Sequence, residues 1–260
     1  MIISVFVKPS LNLNMLISEN ERINISRTSL VINEYDKNAV EEGVRIKEKF
    51  GGKLIIFSAL TWGPIEKKMQ DFERILRECL AMGADEAHAI IDEKIINATS
   101  LETTKAIASL VKKIGNFDIL ITGESSMDTS SFQFAPRLAS ILNLPIITFA
   151  KKINIEGNKI VVERDIEDEI QIIESGLPCI LSVTGEINQP RVPTIKQILQ
   201  AKSKPLLKYK LSDLGIDISP TNILEEIRII QVKRKNIFLE GNLEEIAEKL
   251  TNILKEEKIL

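Results

Sequence analysis

Short apolar runs alternate along the chain with longer segments in which apolar residues recur every third or fourth position. The runs are too short for helices and predict buried strands over residues 2–7, 53–59, 87–91 and 118–122. The longer spacing predicts helices over residues 33–50, 62–82 and 99–114, and from residue 132 onwards. This βαβαβαβα order predicts a doubly wound, mostly parallel sheet of the flavodoxin-like or Rossmann-like α/β class, with helices on both faces.

The pattern changes after residue 148, where apolar and polar residues alternate. Segments 151–155, 159–166 and 170–174 predict an antiparallel ribbon. Further on we expect a strand at 177–183, a protruding loop at 184–193, a short helix at 194–201, an extended arm at 202–220, a strand at 227–232 and an amphipathic helix at 242–257. Segments 22–25 and 29–32 are predicted to pair as a hairpin. We expect an α/β domain over residues 1–200, including the ribbon at 151–175, and a C-terminal arm and helix over residues 201–260.

The most distinctive stretch runs from residue 118 to residue 136. A buried strand ends at Gly123, a loop of small hydroxyl and amide side chains follows, and helical spacing resumes near Phe132. A strand that leads into a helix start rich in hydroxyl groups is a site for anions, since free amides and the helix dipole point to one place. The alternative is that Thr129 or Ser130 only caps the helix. Both interpretations stay open.

Three strand-to-helix loops are predicted to meet at the carboxyl edge of the sheet, where open α/β sheets bind ligands. They are residues 7–9, 58–64 and 123–131, and the helix start at 33–36 joins them. Asn33 or Asp36 can cap that helix. Lys8 follows a strand directly, so it either reaches a phosphate or is a solvated strand end. Neither a dinucleotide fingerprint nor a phosphate-binding P-loop is present.

Composition narrows the function classes. The chain has 260 residues, 44% of them apolar and 27% charged, with a net charge of −3, which argues against a general nucleic-acid binder. No apolar run approaches the roughly 20 residues of a membrane span. The N-terminus lacks the features of a signal peptide, and Cys79 and Cys179 are expected to be buried thiols, so we expect a cytoplasmic protein.

Residues for covalent or metal chemistry are scarce. The sequence offers no Ser–His–Asp set, and His88, its one histidine, lies in a predicted strand without nearby cysteines, so it is a poor metal ligand. This scarcity favours a binding or carrier subunit over a hydrolase.

Several motifs resemble the beta subunit of electron-transfer flavoprotein, and they occur in that family's order. They are N-E-Y-D-K-N-A-V-E-E-G-V-R-I-K-E-K (33–49), L-A-M-G-A-D-E-A (80–87), V-V-E-R-D-I (161–166), I-N-Q-P-R-V-P-T-I (187–195) and D-L-G-I-D (213–217). The resemblance implies a non-enzymatic electron carrier that pairs with an alpha subunit, which holds most of a redox-active FAD. It also implies AMP, or a second FAD in members that bifurcate electrons, in the beta subunit.

Further partners follow from the resemblance. Electrons would come from dehydrogenases, often the acyl-CoA dehydrogenases of fatty acid β-oxidation, and go to a quinone oxidoreductase. Residues 201–260 would dock on the alpha subunit. No nucleic acid or membrane insertion is expected.

The resemblance places Phe6, Asn33, Ala59 and residues 123–134 around the nucleotide. With the strand-end residues, the candidate nucleotide site comprises Phe6, Lys8, Asn33, Tyr35, Asp36, Ala59, Gly123, Ser126, Asp128, Thr129, Ser130, Ser131, Phe132, Gln133 and Phe134. Asp165 would face the flavin of the alpha subunit. The partner-recognition loop would contain Glu186, Ile187, Asn188, Gln189, Pro190, Arg191 and Ile195. Ile195 is either the exposed anchor of that loop or packs under its own helix with Ile198 and Leu199.

The loop departs from the family pattern G-K-Q-A-I-D-x-D-x-x-Q-x-G. Glu124 stands where the pattern has Lys, and Ser125, Ser130 and Ala135 replace Gln, Asp and Gly. Ser131 and Pro136 are similar to bifurcating members, so AMP and FAD both stay open. Two other classes are considered: a stand-alone adenine-nucleotide sensor of the universal-stress type, and a structural subunit with a decayed site. A sensor has no use for the ribbon and the arm.

Overall fold

Nine strands of the described residues form one sheet. The computed structural model describes residues 1–219, 222, 224–230 and 235–260. The strands are β1 (Ile2–Val7), β2 (Pro9–Leu11), β3 (Ser18–Glu19), β4 (Arg22–Ile23), β5 (Leu30–Ile32), β6 (Lys53–Ala59), β7 (Glu86–Ile90), β8 (Ile119–Gly123), β9 (Ile146–Glu156), β10 (Lys159–Asp165), β11 (Ile170–Gly176), β12 (Cys179–Val183) and β13 (Leu206–Tyr209). The helices are α1 (Glu34–Phe50), α2 (Ile65–Met82), α3 (Ser100–Ile114), α4 (Phe134–Leu142), α5 (Ile195–Ala201) and α6 (Leu243–Glu256).

The sheet order is β11-β10-β9-β12-β8-β1-β6-β7-β13. From β9 to β13 in this order, each neighbouring pair is parallel. Strands β10 and β11 add an antiparallel ribbon at one end of the sheet. The predicted doubly wound α/β class with an antiparallel ribbon is confirmed.

Each central strand sends alternate side chains to opposite faces, so the sheet has two apolar cores. Strand β1 shows the alternation: Ile3, Val5 and Val7 join the core under α1 and α2, whereas Phe6 joins the core under α3 and α4. Both cysteines are fully buried thiols, as expected, and burial raises the pKa of Cys179 to about 11.

Strand β9 belongs to two parts of the sheet. Its first residues pair with β12 in parallel, and the residues from Ala150 onwards pair with β10 in antiparallel fashion. The register shifts between Glu163 and Arg164, and between Leu181 and Val183, where the two pairings meet. The ribbon is therefore a continuation of a core strand and extends past the carboxyl end of β12.

The predicted hairpin of segments 22–25 and 29–32 is wrong. Strand β4 pairs with β3, and β5 pairs with β2. Polar side chains of α2 satisfy the backbone next to β5: Asp71 accepts from the Leu30 amide, Arg74 donates to the Leu30 carbonyl, and the buried Lys68 donates to the Thr28 carbonyl. These bonds stabilise residues 28–30, so that β5 does not need β4 as a hairpin partner.

The C-terminal predictions are only partly correct. The extended arm contains β13, which pairs with β7 and lengthens the parallel sheet. The Lys204 ammonium donates to the carbonyls of Leu80 and Ala84 and so fastens the arm to the end of α2. The strand predicted at 227–232 is wrong for residues 227–230, which form only an isolated bridge between Arg228 and Arg22. Residues 220, 231 and 232 lie outside the described residues.

The described residues form two compact units, Met1–Arg228 and Ile229–Leu260. In the second unit, the predicted terminal helix is confirmed as α6. Asn242 caps it, because the Asn242 side chain accepts from the Glu245 amide and Glu245 reaches back to the Asn242 amide.

Candidate functional site

A cavity of about 600 Å³ opens at the carboxyl edge of the sheet, and this volume is typical of small-molecule sites. Strands β1, β6 and β8 end beside it, as the topology requires. Of the predicted nucleotide-site residues, the cavity is lined by Phe6, Lys8, Asn33, Asp36, Ala59, Gly123, Ser126, Thr129, Ser131, Phe132, Gln133 and Phe134. The structure therefore brings most of the predicted set to one place.

Tyr35, Asp128 and Ser130 do not line the cavity. Tyr35 packs beside Gly123 and Gly185. Asp128 lies behind the wall, with its side chain only 1% exposed. Ser130 is exposed, and its amide donates to the Ser126 carbonyl at 2.8 Å.

Asp128 is the centre of a buried polar network. Its carboxylate accepts from the Lys8 ammonium at 2.6 Å, from the Trp62 indole at 2.8 Å and from the Leu11 amide at 3.2 Å. Lys8 also donates to the hydroxyls of Ser126 and Thr129. The positive charge of Lys8 is thus paired inside the protein.

Asp36 joins the ends of two strands. Its two carboxylate oxygens accept from the amides of Lys8, at 2.8 Å, and Gly123, at 2.9 Å. Burial raises the pKa of Asp36 to about 7, and the two amides and Lys8 only partly offset this effect. Position 123 has no room for a side chain, because a Cβ there would lie 2.6 Å from an Asp36 carboxylate oxygen. These contacts set the spacing of the two loops.

Asn33 and Asp36 do not cap helix α1 as predicted. Asn33 occupies the N-cap position but makes no side-chain cap bond. Its amide instead donates to the Ser125 carbonyl at 2.7 Å and accepts from the Met127 amide at 3.0 Å. Asn33 therefore holds the hydroxyl-rich loop, and Asp36 joins the strand ends, rather than capping their own helix.

The loop itself is tightly turned before α4. The prediction that Thr129 or Ser130 caps α4 is wrong, because Gln133 holds the N-cap position. Ser130 and Phe132 have positive φ angles of 43° and 54°. Such angles are uncommon outside glycine and cluster at functional sites.

The sequence reasoning missed one wall of the cavity. The end of the loop between β7 and α3 and the first turn of α3 contribute residues 97–101, and Thr103, Arg137, Asn222 and Leu224 also line the space. The predicted strand order could have indicated this wall, since β7 ends at the same carboxyl edge as β1, β6 and β8. Near the start of α4, Phe6 and Phe134 stack with ring centroids 3.9 Å apart and form an apolar surface.

Comparisons with known proteins agree with this geometry. A family model described as electron transfer flavoprotein domain matches residues 23–214. The chain belongs to the electron-transfer flavoprotein beta-subunit family. It is 35% identical over 238 residues to electron transfer flavoprotein subunit beta of Thermoanaerobacterium thermosaccharolyticum, which covers 88% of each chain. The same subunit of Bacillus subtilis is 32% identical over 245 residues, or 93% of this chain and 92% of the relative.

A third relative is subunit CarD of the caffeyl-CoA reductase–Etf complex of Acetobacterium woodii, 30% identical over 237 residues and 88% of each chain. Electron-transfer flavoprotein beta subunits are electron carriers rather than enzymes by themselves. They pair with an alpha subunit in a complex that holds FAD. The resemblance drawn from the motifs is confirmed, and a stand-alone sensor is not favoured.

In this electron-transfer flavoprotein beta subunit, the predicted recognition loop lies partly against α1. Asn38 donates to the Gly185 and Asn188 carbonyls, and Arg191 pairs with Glu41 and Glu48. Burial opposes the charge of Glu41, but hydrogen bonds from Arg191 and Arg45 outweigh it and lower the pKa of that carboxyl. The prediction that the whole loop protrudes is therefore wrong for this part.

The rest of the recognition loop is only partly exposed. Gln189 presents its carbonyl to Arg45, Pro190 is half-buried, and Ile187 packs on the core. Ile195 is 78% exposed, and its helix neighbours Ile198 and Leu199 are 49% and 58% exposed. The alternative that Ile195 packs under its own helix is wrong.

An ion-pair chain links the ribbon to this loop. Lys151 of β9 pairs with Asp165, at the end of β10, and with Glu186 of the loop. The Lys151 hydrogen bond lowers the pKa of Asp165. Asp165, the predicted flavin-facing residue, thus carries a negative charge close to the recognition loop.

Two further observations bear on the predictions. His88 lies in β7, as expected, between the rings of Phe57 and Tyr209, and its ring nitrogens contact Tyr209 and Glu86. Among the residues the structure describes, no group of His, Cys, Asp and Glu side chains is placed to hold a metal ion. Within the same ranges, every helix is too short or too polar to cross a membrane.

Proposed function

We propose that the cavity binds an adenine nucleotide, either AMP or the adenylate part of a second FAD. The observation that carries this proposal is that three strand ends and the hydroxyl-rich loop before α4 line the same cavity. A phosphate at a helix start gains free amides and a favourable dipole. The stacked rings of Phe6 and Phe134 offer an apolar surface for a base.

The hydrogen bonds of the loop narrow the position of the phosphate. The amides of Thr129 and Ser130 already donate to the Ser126 carbonyl. The amides of residues 131–133 and the Ser131 hydroxyl therefore remain as the donors nearest the helix start. Charge-assisted hydrogen bonds of this kind contribute roughly 1.5–3 kcal/mol each. The proposed donors therefore exclude the amides of Thr129 and Ser130, which the loop uses for its own turn.

Within the heterodimer, the chain is proposed to carry electrons from a dehydrogenase towards a quinone oxidoreductase, through FAD held by the alpha subunit. Acyl-CoA dehydrogenases of fatty acid β-oxidation are the proposed donors, and the proposed location is the cytoplasm. Ile195 supports a docking role because an exposed apolar side chain among polar neighbours often anchors a partner. Asp165 is the proposed flavin-facing residue, and residues 201–260 are proposed to dock on the alpha subunit.

The test is to purify the chain with its alpha subunit and to release the bound cofactors with acid. Chromatography then counts flavin and adenine nucleotide per heterodimer. One FAD with one AMP supports the AMP form, and two FAD support the bifurcating form. One FAD without any second adenine nucleotide, and no uptake of added AMP or FAD, would show that the cavity is a decayed site.

A further inference from the structure

Arg137 is a cation of the cavity wall that has no carboxylate partner among the described residues. It lies on α4 one turn after Phe134, so the two residues share one face of the helix. Its guanidinium makes a long 3.4 Å hydrogen bond to the Ser100 hydroxyl, at the start of α3. Among the residues that the structure describes, no carboxylate oxygen lies within 4.0 Å of its guanidinium nitrogens.

The other charges of the cavity make this arrangement unusual. Lys8 is paired with Asp128, so it is not available as a free cation. Glu124 lines the same cavity, and burial together with Glu186 raises its pKa. Of the described residues that line this cavity, Arg137 is therefore the one with an unpaired positive charge.

The position of Arg137 is unfavourable without an anion. It is the fourth residue of α4 and contacts the first residue of α3, so it lies close to two helix N-termini. Helix dipoles make these ends partly positive, and a cation there is destabilising. A bound anion would turn this repulsion into attraction, because the guanidinium and the helix amides would act on the same group.

We propose that Arg137 binds the phosphate of the nucleotide. This proposal rests on the proposed adenine-nucleotide function. The loop from Gly123 to Gln133 contains the acidic Glu124 and no lysine or arginine. The chain thus lacks a cation in the loop and has one on α4, where a planar guanidinium can form two parallel bonds to a phosphate. The ligand class is a nucleotide with a 5′-phosphate, and the phosphate lies between the starts of α3 and α4.

The test compares AMP with adenosine, which has no phosphate. The full chain in complex with its alpha subunit is freed of bound nucleotide, and each ligand is titrated by calorimetry. Arg137→Met should weaken AMP binding about 10- to 100-fold and leave adenosine binding within about 2-fold. Lys113→Met, which removes an exposed cation at the far end of α3, is the matched control and should change neither. Arg137→Lys should give an intermediate loss.

Each outcome has a defined meaning. If Arg137→Met keeps the full preference for AMP over adenosine, the proposal fails, while the proposed nucleotide function stands. If the unsubstituted complex binds neither ligand nor FAD, the proposed function itself fails. Unfolding midpoints of the variants exclude a folding defect as the cause, and Arg137→Lys serves if Arg137→Met does not fold. Glu124→Gln should strengthen AMP binding several-fold without changing adenosine binding, because it removes a negative charge near the phosphate.

Discussion

Removal of the Asp128 carboxylate should destabilise the whole carboxyl edge of the sheet. Its side chain is 1% exposed and accepts hydrogen bonds from Lys8, Trp62 and Leu11. The substitution Asp128→Ala would leave a buried ammonium, an indole N–H and a backbone amide without their shared acceptor. An uncompensated buried donor is costly because it loses water on folding and gains nothing in return.

The expected cost follows from the exposure of each partner. Breaking a buried ion pair from one side costs about 3–5 kcal/mol. The Lys8 side chain is 21% exposed and keeps two hydroxyl acceptors, so its contribution falls at the low end. An unsatisfied neutral donor adds about 1–3 kcal/mol at most. Taking about 3 kcal/mol for the ammonium and about 1 kcal/mol for each of the two neutral donors, we expect a loss of about 5 kcal/mol, a large part of the ~5–15 kcal/mol that stabilises a typical domain.

The chain provides its own spectroscopic probe. Trp62 is the single tryptophan of the sequence, and its indole donates to Asp128. Urea unfolding of nucleotide-free protein, followed by tryptophan emission, therefore reports on the network directly. Lys8→Met and the double variant complete a double-mutant cycle, in which the double variant should be less destabilised than the sum of the single ones.

A partly exposed ion pair between helices α1 and α2 is the control for the loss of a buried ion pair. Lys37 and Glu78 are 30% and 27% exposed, so Glu78→Ala should cost at most about 1 kcal/mol. A loss below about 1 kcal/mol for Asp128→Ala, or an additive cycle, would refute the view that the carboxylate organises this edge.

Four further outcomes are expected. Because the folded pKa of Asp36 is raised from 3.8 to about 7, its contribution to stability is full below pH 3.8 and is lost as the pH rises from there through about 7. Asp36→Asn should flatten this decline in thermal melts. Gly123→Ala should destabilise the fold by about 1–3 kcal/mol through its 2.6 Å clash, and Gly176→Ala, which meets nothing within 4 Å, should not. Ile195→Ala should weaken dehydrogenase binding by about 1–3 kcal/mol without lowering the melting temperature, whereas Ile172→Ala, also at an exposed site, should have no effect in the same turnover assay. The chain purified without an alpha subunit should carry no flavin at the electron-transfer site, and dye reduction by that preparation would contradict this expectation.

The sequence predicts the parallel sheet well because burial dictates it. Each of the strands β1, β6, β7 and β8 is an apolar run, and each loop after them had to reach the same edge. Strand β13 escaped prediction because it is short and only half-buried at the edge of the sheet. The hairpin failed because side chains of α2, far away in sequence, satisfy the backbone of β5.

The candidate site was predictable in outline but not in its charges. Strand ends and the hydroxyl-rich loop located the cavity, and the topology explains why. Sequence patterns do not show which charges meet, so the pairing of Lys8 with Asp128 was missed. Asn33 was predicted to cap its helix, whereas its side chain bonds to the hydroxyl-rich loop. This was missed for the same reason, because its partners lie about ninety residues away.

Strand β9 gives the ribbon the mechanics of a beam fixed at one end. The six residues from Lys151 to Glu156 continue past β12, and at about 3.3 Å per residue they reach about 20 Å from the sheet. A load applied at the tip of such a beam bends it most where it is fixed. Here that place contains both register shifts, next to the Lys151 bridge between Asp165 and Glu186. A force from a docked protein would therefore concentrate its torque at the bulges beside the recognition loop.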